Sequence, residues 1–188
     1  RNVGAYVGIA ATDYDPLSRQ FGVPISSFSF TAASPSVASG RISYVFGLRG
    51  QNASVDTACS ASLVATHLAC LAFRDGPMEG ALACGVLLCL VPQSTLMLLR
   101  AGMISPEGRS KTLDASADGY VRGETCRAVY LKPLALLGPD TPALGVVVGS
   151  AVNTNGRASS LTAPNGPSQQ ALLREAMAGA GVGARQVD

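Results

Sequence analysis

Apolar residues in this chain come in short runs, separated by glycine, proline and small polar residues, and the period of the runs alternates along the sequence. That pattern predicts strands and helices in turn, an α/β chain. Ala5–Ala10 reads as a buried strand, Pro35–Tyr44 as a helix whose small residues allow close packing, and Ala53–Thr57 as a second strand. From Ser60 the positions Leu63, Val64, His67, Leu68 and Leu71 recur at helical spacing until Asp75-Gly76-Pro77 stops the helix. Gly80–Leu90 is apolar enough to be a central strand, and a helix follows through about Arg100. Ala101–Gly119 reads as loop, Val121–Leu131 and Leu144–Val152 as strands, Asn153–Pro167 as a long polar loop and Ser168–Ala180 as a helix. The polar triplet Arg122-Gly123-Glu124 interrupts the first of those two strands.

The strand ending at Thr57 and the helix beginning at Ser60 leave Cys59 on the turn between them. Strand, sharp turn and helix form the architecture of a nucleophile elbow. Unpaired N–H groups and the positive end of a helix favour the thiolate there, which suits a cysteine that attacks a carbonyl. The alternative for such a residue is a buried cysteine at a strand end. Cys70, Cys84, Cys89 and Cys126 show no CxxC spacing and are expected to behave as small buried hydrophobes. An odd count of five cysteines fits a disulfide framework poorly and points to a reducing compartment.

Composition narrows the function by exclusion. With 188 residues, 14% charged and a formal net charge of +2, the chain has neither a basic block nor an aromatic series for nucleic acid. Its one histidine, His67, has no metal-binding companion and is expected to pack within its helix. Gly80–Leu99 carries no charge, but Pro92-Gln93-Ser94-Thr95 breaks it into a strand and a helix rather than a membrane span. The chain opens at Arg1 with no signal segment, which suggests a piece of something longer. Asp118, Arg122 and Glu124 stand in apolar surroundings and are expected to form a buried ion-pair network.

Three ordered stretches resemble the β-ketoacyl synthases, particularly the ketosynthase domains of type I polyketide synthases. They are Asp56-Thr57-Ala58-Cys59-Ser60-Ala61-Ser62-Leu63, then Ser105–Asp114 continuing into Ala117–Glu124, then Asn153–Arg157 continuing into Leu161–Gln169. The resemblance implies a thiolase-like fold, of which this chain is the nucleophile-bearing part of the αβαβα layers, so that 1–188 is a partial ketosynthase domain. It implies that Cys59 accepts an acyl chain from the phosphopantetheine arm of an acyl carrier protein, with no cofactor bound directly and no metal. Condensation with a malonyl-type extender would follow. It also implies a homodimer through the strand before Cys59, a neighbour's acyl pocket lined from 28–44, and Thr162, Pro164 and Asn165 in an entrance loop for the thioester substrates. Localisation would be cytoplasmic, or plastid in a eukaryote.

The departures from the family's pattern are part of the same reading. Neither of the two active-site histidines expected downstream is present, so the isolated chain is expected to be inactive. Thr125, Arg127 and Cys84 stand where glycines are usual. Alternative readings are a fatty-acid elongation ketosynthase and a catalytically silent scaffold or docking domain.

Overall fold

Three parallel strands, β1 (Val3–Ile9), β2 (Asn52–Val55) and β3 (Gly80–Leu87), and the antiparallel β4 (Thr125–Leu131) form one sheet of order β2-β1-β3-β4. This is a computed structural model, and it describes residues 1–10 and 12–187. Between β1 and β2 run α1 (Tyr14–Gln20), α2 (Ser29–Ala33) and α3 (Pro35–Phe46); α4 (Ala61–Asp75) joins β2 to β3. Helix α5 (Pro92–Arg100) follows β3, and α6 (Gly166–Ala180) lies near the C-terminus. Backbone contacts divide the chain into two units, Arg1–Pro133 and Leu134–Asp188.

One sheet face is covered by α4, whose buried residues are Ala61, Ala65, Ala69 and Ala72. These alanines meet Tyr6, Met78, Ala81 and Ala83 to make the core. The expected apolar stripe is only partly buried: Leu63 is 73% exposed, Val64, His67, Leu68 and Leu71 are half-buried with Leu68 packed against the core, and the alanine face of the helix goes deepest. Glycines on the strands explain the choice. A Cβ on Gly8 would lie 2.5 Å from the Ala61 carbonyl carbon, and one on Gly85 would lie 2.7 Å from the Ser62 Cβ. Backbone this close to a sheet admits only small residues directly beneath the helix and places Leu68 and Phe73 at the flanks of the core.

On the opposite face α3 packs over β2 and β1. Its contact is polar and fully paired. The N–H of Ser39, 1% exposed, donates to Ser54 Oγ at 3.2 Å, the Ser39 hydroxyl donates to Asn52 Oδ1 at 3.3 Å, and Ser43 Oγ donates to the Ser39 carbonyl at 3.2 Å.

The strands end sooner than the apolar pattern predicts, and carboxylates end two of them. β3 stops at Leu87 because the next N–H groups turn to acidic side chains: Cys89 N–H donates to Glu124 Oε1 at 2.6 Å, and Leu90 N–H to Asp13 Oδ2 at 3.1 Å. β2 stops at Val55, where Asp56 begins the turn to Cys59. β4 starts only at Thr125, since Arg122 and Glu124 reach away to Thr95 and Cys89. Residues 144–152 form no strand. Leu144, Val146, Val147 and Val148 are exposed, and the described residues of this second unit contain no strand for them to pair with.

Within the second unit, Asn165 caps α6 by accepting the Ser168 N–H at 3.2 Å, and Gly181 closes the helix at φ 67°. Among the described residues no helix is long and apolar enough to cross a membrane.

Candidate active site around Cys59

Cys59 is exposed in a single 3₁₀ turn, Ala58–Ser60, that leads straight into α4. The strand–turn–helix expectation therefore holds, with the cysteine just ahead of the first α-helical residue. Two side chains bracket it. Asp56 Oδ1 accepts the Ala58 N–H at 2.9 Å, and Ser60 Oγ donates to the Thr57 carbonyl at 2.9 Å. Because the Ser60 hydroxyl turns back in this way, no side chain caps α4, and the positive end of the helix stays open beside Cys59.

The turn also contains backbone strain. Ala58 has φ 54°, a left-handed conformation that costs a residue with a Cβ about 1–2 kcal/mol. Nothing in the sequence marks this alanine. The signal that was present lies two residues earlier, in Asp56, a residue type that bonds backbone N–H groups two positions on.

The other cysteines are not the buried hydrophobes expected. Cys70, Cys84 and Cys89 are half-buried, and Cys126 is exposed because β4 is an edge strand. Burial pushes the Cys70 and Cys84 thiols above their ordinary range. Cys84 is tolerated where glycine is usual because neighbouring Gly85 faces α4, which turns Cys84 to the other side of the sheet. Thr125 and Arg127 take ordinary strand conformations in β4, and neither has a positive φ.

Asp118, Arg122 and Glu124 do not form one network. Asp118 accepts a 2.7 Å bond from Ser105 Oγ and lies 3.5 Å from Lys111 Nζ, which also pairs with Glu107 at 3.0 Å. The Ser105 hydrogen bond, with help from the Lys111 ammonium, holds the Asp118 carboxyl below the usual carboxylate range. Arg122 donates to Thr95 Oγ1 at 2.8 Å, and Glu124 binds the Cys89 N–H. Each charge holds a different segment, Asp118 the loop at Ser105, Arg122 the helix α5 and Glu124 the chain just after β3.

Asp13, which the sequence did not single out, organises the entry to α5. It is 7% exposed and accepts from the Leu90 N–H at 3.1 Å, the Val91 N–H at 3.3 Å and the Ser94 hydroxyl at 2.9 Å. Asp13→Ala in the full-length protein is expected to lower stability by about 1–3 kcal/mol, because two backbone donors lose their acceptor. Asp13→Asn, which keeps one acceptor oxygen, is expected to cost less; urea midpoints compare the two.

Thr162, Pro164 and Asn165 belong to the second unit. Thr162 and Pro164 are exposed. Asn165 is half-buried and structural as well as local: besides capping α6, its Nδ2 donates to the Asn155 carbonyl at 2.9 Å. A cavity of about 300 Å³ opens at the C-terminal ends of β1 and β3, lined by Ile9, Asp13, Pro35, Arg41, Val86 and Leu90 among others; Cys59 does not line it. His67 is half-buried on α4, two turns beyond Cys59.

The sheet, α4 and the cysteine elbow between them are those of a thiolase-like α/β fold, of which this chain is a fragment. The chain belongs to the β-ketoacyl synthase family: residues 1–136 match the N-terminal domain of β-ketoacyl synthases and residues 144–188 the C-terminal domain. It is similar to the ketosynthase from module 6 of the bacillaene synthase of Bacillus subtilis, with a TM-score of 0.84 and 36% identity, over 97% of this chain and 30% of that one. The oxazolomycin ketosynthase domain of Streptomyces albus gives a TM-score of 0.87 at 34% identity, over 96% of this chain and 31% of that one. Among curated relatives, a phenolphthiocerol/phthiocerol polyketide synthase of Mycobacterium tuberculosis is 46% identical over 97% of the chain, which spans 8% of that protein. Polyketide synthase ThaG of Burkholderia thailandensis is 46% identical over 100% of the chain, which spans 3% of it.

Proposed function

We propose that this chain is the nucleophile-bearing part of a polyketide ketosynthase, with Cys59 as its acyl acceptor. The observation that carries the reading is Cys59 on the elbow between β2 and α4, inside the stretch matched by the β-ketoacyl synthase N-terminal domain.

Cys59 Sγ attacks the carbonyl carbon of an acyl thioester carried on the phosphopantetheine arm of an acyl carrier protein. A new C–S bond forms, and the carrier's thiol leaves with a proton. The Cys59 N–H, at the mouth of α4, supplies one donor to the oxyanion of the tetrahedral intermediate. A malonyl-type extender on the carrier then loses carbon dioxide, and its enolate attacks the Cys59 thioester and expels the thiolate, leaving the chain two carbons longer. Thr162, Pro164 and Asn165 serve the entrance for the thioester arm. β2, at the sheet edge, pairs with its counterpart in a second copy, and the 28–44 region of each copy reaches the other's acyl pocket. The protein works in the cytoplasm.

The 188 residues alone are proposed to be inactive, because decarboxylation and enolate attack need donors beside the thiolate, and the single histidine, His67, sits two turns along α4. Incubating the parent domain with acyl- and malonyl-loaded carrier protein is expected to yield a β-ketoacyl thioester by mass spectrometry. The 188-residue chain is expected to give none above the carrier-only control. Absence of product from the parent domain would overturn the condensing role.

A further inference from the structure

We propose that Asp56 is a positioning residue for Cys59, acting through the backbone of Ala58; the inference rests on the reading of Cys59 as acyl acceptor. Ala58 is one of three non-glycine residues at positive φ among the described residues, and it directly precedes Cys59. Alanine has a Cβ to oppose that conformation and no polar side chain to compensate for it. The compensation comes from outside. Asp56 Oδ1 takes the Ala58 N–H at 2.9 Å and so fixes the Thr57–Ala58 peptide, whose flip would carry Ala58 out of φ 54°.

The geometry has a directional consequence. The peptide linking Ala58 to Cys59 carries the Cys59 N–H, and the torsions of Ala58 decide where that peptide points. If Ala58 relaxes to a right-handed or extended conformation, the N–H and the Sγ turn together away from their present setting. Ser60 restrains the far side of the turn through Thr57, so the freed motion would concentrate at Ala58. An exposed thiol would still meet a small alkylating reagent, whereas acyl transfer needs sulfur and oxyanion donor aligned on one carbonyl.

Four variants of the parent domain test this, with an acyl-N-acetylcysteamine thioester as the probe and Cys59 acylation followed by mass spectrometry. Asp56→Ala is expected to slow acylation about tenfold, the scale of a left-handed alanine left unsupported, while iodoacetamide labelling of Cys59 changes less than twofold. Asp56→Asn, which keeps the acceptor oxygen, is expected to retain at least half of the rate. Asp56→Ala combined with Ala58→Gly is expected to recover most of it, because glycine holds positive φ without help. That rescue would not occur if Asp56 merely stabilised the fold or acted by its charge. Circular dichroism and melting temperature confirm that each variant is folded.

Wild-type acylation in Asp56→Ala, equal losses in Asp56→Asn and Asp56→Ala, or no recovery on adding Ala58→Gly would each overturn the proposal. The fourth variant, Cys59→Ala, isolates the underlying reading: if it still acylates at the same site, the nucleophile assignment fails, whatever Asp56 does.

Discussion

Cys59→Ala in the parent domain is expected to reduce acyl loading by roughly a thousandfold or more, with folding unaffected. Truncating an exposed side chain on a turn removes no core contact, since the core beneath is built from Tyr6, Ala65, Ala69, Ala72, Met78, Ala81 and Ala83. Limited iodoacetamide treatment followed by peptide mapping separates Cys59 from the other four thiols. Cys70 and Cys84 are slowed by burial, which disfavours their thiolates. The demanding comparison is Cys126, exposed within strand β4 and not carried on a helix-entry turn. Preferential labelling or acylation of Cys126 over Cys59 would contradict the site. Loading by Cys59→Ala at the wild-type rate would do so more directly.

Gly8→Val is expected to destabilise the full-length protein by about 3 kcal/mol or more and to abolish loading with it. A Cβ at Gly8 would meet the Ala61 carbonyl carbon and the Ser62 nitrogen at 2.5 Å and the Ala61 oxygen at 2.7 Å. All three are backbone atoms of the first residues of α4, so no rotamer change can relieve the clash. Either α4 lifts from the sheet, exposing the alanine face, or β1 leaves its register with Val55 and Gly85. Both outcomes displace the turn that carries Cys59. Gly40 supplies the control, because nothing lies within 4 Å of a Cβ built there, in the interior of α3. Gly40→Ala is expected to be neutral or to stabilise by about 0.5–1 kcal/mol. Melting temperatures for the pair decide the matter; equal, small effects would mean that the close approach at Gly8 is not needed.

The location of Cys59 was legible in the sequence because it is a local property. A short extended run, a small polar turn and a helical spacing that begins at Ser60 leave few conformations for the residue between them. The ends of α4 at Asp75 and of α5 at Arg100 were legible for the same reason, since glycine, proline and charge stop a helix wherever it packs.

What the tertiary structure alone decided depends on partners distant in sequence. Helical spacing identified Leu63, Val64, His67, Leu68 and Leu71 as one stripe, and all but Leu63 are half-buried, yet the alanines one step round the helix lie deepest, because Gly8 and Gly85 bring the sheet close to the first turn of α4. Strand β3 ends where Asp13 and Glu124 capture three successive N–H groups from positions far away in the chain. Residues 144–152 have the composition of a strand and no ladder to join, and pairing, unlike turn chemistry, requires a second segment. The left-handed Ala58 differs in kind: its partner Asp56 is only two residues away, but alanine itself carries no mark of positive φ, so the structure alone showed the conformation.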